Sequence, residues 1–241
     1  MFKHRGKNRT FGHNLRLAAL LSFVAGMVNI TGVLSVKVLT TNVTGHFAYF
    51  AEEIANEKYW NALAFLFYIL SFLFGSFVSN VLIEIMAMKN SRIAHMPPML
   101  IEIALLLFVG FKGAEIAADH LIACILLFAM GMQNSLVTQV SQSTVRTTHL
   151  TGLFTDLGIE LSQLFFYREP HLQFRLKRSI LLRLSIIAFF FTGCISGGFL
   201  YKLHKFETLI VAAILLVIAL FYDTLKMRFY KAQRKFREFG K

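Results

Sequence analysis

The sequence predicts an all-α integral membrane protein, one membrane domain over residues 1–241 made of two related halves, and three observations predict it. With 56% hydrophobic and only 16% charged residues among 241, the chain is too apolar to present a water-exposed surface. Its apolar residues come in long runs, as spanning helices need, where a transmembrane barrel would show short alternating segments. And one motif occurs twice: Thr40-Thr41-Asn42-Val43-Thr44-Gly45 returns as Thr147-Thr148-His149-Leu150-Thr151-Gly152.

A spanning helix needs about 20 largely apolar residues, and that ruler gives six, over 17–34, 60–85, 98–112, 121–137, 180–203 and 208–225. The third is the weakest, with Glu102 in its first turns and Lys112 at its end. The run after Arg16 carries Asn29 and Thr31 and lacks a small-residue cleavage site, so it is expected to remain as the first span. Basic residues gather before the first span, after the second, before the fifth and after the sixth, while the alternate loops carry Glu52, Glu53, Glu57, Glu115 and Asp119. By the positive-inside rule both termini are cytoplasmic, and the net charge of +12 reads as orientation and not as a nucleic-acid surface. The basic tails, 1–14 and 226–241, are expected to meet anionic lipid headgroups. Cys124 and Cys194 lie in apolar runs and read as buried thiols without a disulfide.

The duplication extends beyond the motif. Phe47 and Glu53 are answered by Phe154 and Glu160, and Gly26-Met27-Val28-Asn29 by Gly131-Met132-Gln133-Asn134. Three crossings separate the matching first helices, so repeat two, about 117–225, is expected to enter the membrane upside down relative to repeat one, about 15–112. Helices two and five carry small residues one turn apart, Gly75 and Ser79 against Gly193 and Gly197, a spacing that lets helices approach closely.

Each motif leads into a short amphipathic stretch. Phe47, Phe50 and Ile54 recur at helical spacing, as do Phe154, Leu157 and Leu161. The polar residues also keep register: Asn42, Tyr49 and Glu53 in one copy, His149, Asp156 and Glu160 in the other, each set on one helical stripe, with His46 joining the first. Hydroxyls satisfy the free amides of a helix start, Gly admits a close ligand, and the start itself carries partial positive charge. Thr41, Thr44, Gly45, Thr148, Thr151 and Gly152 are therefore the expected ligand contacts, with Asn29 and Asn134 either lining a path or bonding between helices. Glu53, Asp156, Glu160 and His149 are the expected proton or cation carriers, since a buried carboxylate needs pairing, protonation or water. The segments either dip into the membrane as re-entrant helices or lie flat at its two surfaces. No catalytic motif, metal-ligand spacing or cofactor fingerprint appears, so neither an enzyme nor a metalloprotein is expected.

Gly131-Met132-Gln133-Asn134, Val145-Arg146-Thr147-Thr148-His149-Leu150-Thr151-Gly152, Thr155-Asp156-Leu157-Gly158 and Thr41-Asn42-Val43-Thr44-Gly45-His46 together resemble the YoaK family of bacterial inner-membrane proteins. The resemblance runs from about Leu17 to Leu225 and is most specific in the second motif; where family members often place Asn after the first Thr-Gly, this chain has His46. It implies a six-helix protein of the inner membrane, sometimes called a permease, and supplies no substrate. The expected function is a permease or channel for a small solute or ion, with its site between the repeats. A non-transporting scaffold or sensor using the basic tail is the alternative, and an intramembrane enzyme at His149, Asp156 and Glu160 a further one. Oligomeric state is left open.

Overall fold

Phe11–Val36 form α1, which starts where the Thr10 hydroxyl accepts from the His13 N–H and stops at Lys37, whose φ of 60° turns the chain toward the first threonine pair. There follow α2 (Val43–Ala55), α3 (Tyr59–Asn90), α4 (Met96–Lys112), α5 (Asp119–Ser141), α6 (Leu150–Phe166) and α7 (Pro170–His204). A 3-10 turn, Lys205–Glu207, leads into α8, residues 208–221. This computed structural model describes residues 10–90, 93–141, 145 and 147–221, and among them there is no strand. The basic tail from Lys226, residues 1–9, Arg146 and the end of the sixth expected span lie outside the described residues.

By length and apolarity four described segments suffice to cross a membrane: α1, α3, α5 and the 52 residues Pro170–Phe221 that hold α7, the 3-10 turn and α8. The 17-residue α4 falls below that length. Several boundaries differ from the expected spans: α1 begins at Phe11, not Leu17, and α5 runs on to Ser141. α7 begins at Pro170 and takes in Arg175, Lys177 and Arg178, which the sequence suggests as a loop. Proline suits a first helical turn; of these cations Arg175 and Lys177 are exposed, and the Arg178 guanidinium lies 4.5 Å from the centre of the Phe11 ring. α3 likewise runs past residue 85 to Asn90.

The long helices pair across the two halves of the chain. α1 lies beside α7 in the same direction: Phe23 meets Gly193, Gly26 meets Phe190 and Cys194, and Met27 meets Gly197. α3 lies beside α5 in the same way, Phe72 on Gly131, Gly75 on Phe128 and Ser79 donating to the Met132 carbonyl at 3.0 Å. In each seam the glycines are there because backbone meets backbone. A methyl group at Gly26 would lie 2.2 Å from the Phe190 carbonyl oxygen, and one at Gly131 2.1 Å from that of Phe72. Between membrane helices such close packing replaces the hydrophobic drive that water supplies. α1 and α5 bring the two pairs together, the Gln133 Nε2 donating to the Leu21 carbonyl at 3.2 Å. Leu17, Leu21, Leu126 and Leu136 are fully or almost fully buried there, whereas Phe67, Phe74 and Phe77 on α3 and Phe191 and Phe199 on α7 face outward. Gly110 on α4 receives Ile210 of α8.

Candidate functional site

Asn29 sits near the end of α1 and reaches the turn that follows: its Oδ1 accepts from the Thr40 N–H at 3.1 Å and the Thr41 hydroxyl at 3.0 Å. Asn134 serves α5 in the same manner, its Nδ2 donating to the Thr148 hydroxyl and its Oδ1 accepting from Thr147 at 3.4 Å. A side-chain amide offers both donors and acceptors, so in each half one asparagine holds a threonine pair against the helix before it. In these bonds each asparagine holds the turn that follows its own helix and not a second helix.

Just beyond each pair lies a helix start. For α2, Asn42 is the N-cap and its Oδ1 accepts from the Gly45 N–H at 3.0 Å. For α6, His149 stands in that place without a side-chain cap, and its ring leans over Gly152, where a Cβ would come 2.5 Å from Nδ1. The glycine of each motif thus leaves room for the side chain at the cap.

Both starts open on one cavity of about 970 Å³. The first half contributes Asn29, Thr41, Thr44 and Gly45 to its wall; the second contributes Asn134, Thr148, His149 and Thr151. Gly152 backs His149 and does not itself line the space. Sequence reasoning misses Ser76, Ser135, Thr138 and Gln139, and the paired aromatics Phe72 and Phe190, which also form the wall. Asn134, Ser135, Thr138 and Gln139 follow each other around one face of an otherwise apolar helix, and that stripe is the signal that finds them.

The carboxylates are not on this wall. Glu160 is held by Arg183 of α7 through two bonds, Nε to Oε2 at 2.8 Å and Nη2 to Oε1 at 3.0 Å, and accepts from Ser179 at 2.6 Å. The same guanidinium donates to Asp156 at 2.8 Å. Glu53 accepts from Asn61 at 3.1 Å, and Tyr49 stacks on Phe65 with ring centres 5.4 Å apart. The contacts correspond position for position: Glu53 with Asn61 matches Glu160 with Ser179, and Tyr49 with Phe65 matches Asp156 with Arg183. Arg183 is a further residue the sequence reading misses, although an arginine a turn into an apolar run is itself a signal.

His46 lies off the cavity, 3% exposed, its Nε2–H donating to the Leu39 carbonyl at 2.8 Å and its ring against Tyr68. Burial lowers its pKa below the usual histidine range, the Leu39 bond opposing that shift only in part. Among the described residues no three His, Cys, Asp or Glu side chains gather into a metal set.

Apolar helices of spanning length with aromatic residues on their outer faces fit the class of helical membrane proteins. Within that class the chain belongs to the family of proteins of unknown function DUF1275, whose model matches residues 17–222. No curated protein and no solved structure matches it.

Proposed function

We propose that the protein is a bacterial inner-membrane permease or channel for a small solute or ion, with both termini cytoplasmic and six spans in two inverted repeats. The observation that carries this is the single cavity lined by the same motif from both halves. Sites of many inverted-repeat transporters lie where the repeats meet, between helix starts of this kind. The paired seams support the duplication: Gly26, Phe23, Gly75 and Phe72 have their counterparts in Gly131, Phe128, Gly193 and Phe190, each making the contact its counterpart makes. Six spans follow if the chain turns at Lys205, where φ is 49°. A straight run of 52 residues would reach about 80 Å, far beyond a bilayer core. α4 completes the count as a short span whose Glu102, 1% exposed, turns inward as an ionisable residue inside a membrane bundle must. The YoaK resemblance points to the same class.

That the starts of α2 and α6 both open on one cavity favours two segments set into the membrane over two lying flat at its opposite surfaces. Thiol labelling tests this. In a chain with Cys124 and Cys194 replaced by alanine, Thr44→Cys and Thr151→Cys are expected to react with a membrane-impermeant maleimide from the same side, while Phe67→Cys stays unlabelled. Labelling of the two from opposite sides would mean two separate surface helices and would remove the shared site.

A further inference from the structure

We infer that the cavity takes an uncharged solute bearing hydroxyl or amide groups beside an apolar flank, and that neither a cation nor an anion is its substrate. This rests on the permease reading. None of the described residues lining the cavity is Asp, Glu, Lys or Arg. The carboxylates that would serve a cation are engaged elsewhere, Glu160 and Asp156 by Arg183 and Glu53 by Asn61.

What the wall offers instead is a dense set of neutral hydrogen-bonding groups. The hydroxyls of Thr44, Thr138 and Thr151 both donate and accept, and Gln139 gives its Nε2 to Asn80 at 2.8 Å and keeps a carbonyl oxygen. The start of α6 has no side-chain cap, so its first amides are open to an acceptor. Phe72 and Phe190 supply the apolar flank from matched places in the two halves.

An ion fares poorly against this wall. A cation would face the positive ends of two helices, each equivalent to roughly half a unit charge. An anion would find donors but neither Lys nor Arg among the described lining residues, where His149 is the one titratable side chain, and partial charges do not offset the loss of its hydration. A neutral solute exchanges water hydrogen bonds for protein ones without that penalty. Selectivity by the donors and acceptors along a pathway is how membrane proteins pass neutral solutes while excluding ions.

The test uses the full chain in vesicles of phosphatidylethanolamine and phosphatidylglycerol, with light scattering after an osmotic step reporting solute entry. Urea, glycerol and erythritol are the neutral probes, potassium chloride and sodium acetate the ionic ones. The protein is expected to accelerate entry of at least one neutral probe about tenfold and neither salt. Thr44→Trp and Thr151→Trp should abolish that gain by filling the cavity, and Phe67→Trp on the outer face should keep it. Thr44→Val with Thr151→Val removes the hydroxyls without added bulk and should weaken the gain if the tryptophan variants fail to assemble. Acceleration of a salt and of no neutral probe, blocked by the same tryptophans, would overturn the solute class and leave the permease standing. No acceleration of any probe by protein whose Thr44→Cys and Thr151→Cys forms label from one side would also overturn it.

Discussion

Gly26, Gly75, Gly131 and Gly193 occupy the places where one helix backbone touches another, and nothing larger fits. Gly75→Ala or Gly131→Ala forces a methyl against a carbonyl oxygen that is itself held in a helix, so the helices must part along the seam. Overpacking of this sort costs about 1–3 kcal/mol, and a lower melting temperature in detergent is the expected result. Gly158→Ala is the control, since nothing lies within 4 Å of the added methyl; removing a mid-helix glycine there should gain about 0.5–1 kcal/mol. The sequence makes the glycines visible but not their partners. Gly75 and Gly193 stand out by their spacing, yet that Gly75 meets Phe128 and Gly193 meets Phe23 depends on which helices pair, and local pattern carries no such information. The asparagines were easier to find, because an amide in an apolar helix needs a partner, and the threonine pairs were the polar groups next along the chain.

The two short helices, α2 and α6, are fixed to their neighbours by different physics at matching positions. α6 relies on Arg183, with Glu160 and Asp156 both on one guanidinium. Charge-assisted bonds of this kind contribute about 1.5–3 kcal/mol each when shielded; Asp156 is half exposed and contributes less. A double-mutant cycle of Arg183→Gln and Glu160→Gln is expected to show coupling above about 1 kcal/mol, while Arg183→Gln with Asp156→Asn should show little. α2 relies on aromatic packing around His46, whose matched residue is Leu153. Its Nδ1 has no hydrogen-bond partner among the described residues, and Tyr68, the titratable group beside its ring, bonds to His120. Because burial depresses its folded pKa, the unfolded chain takes up the proton first. Stability is therefore complete above the ordinary histidine value of about 6.5 and falls as pH drops below it. Thermal melts from pH 8 to pH 5 should show that decline, and His46→Leu should flatten it. The stripe that placed His46 beside Glu53 was sound as a helical face, but periodicity does not say which part of a face is wet.

Over the whole molecule, duplication was legible because it is written in identity: the motif, the Gly-Met-x-Asn signatures and the aromatic positions repeat. Length was less legible, since α7 absorbs basic residues that read as a loop and α4 is short for a span. A sided test of α4 follows from the proposed topology: Glu115→Cys should label from the outside and Ile93→Cys from the inside if α4 crosses. The seams have a last consequence, and it concerns how the protein is made. α1 pairs with α7 and α3 with α5, so neither half contains the long-helix partners of its own long helices. α1 is therefore expected to lack its main partner until α7 has been made. Residues 1–115 and 116–241 produced as separate chains should each be degraded alone and persist when produced together.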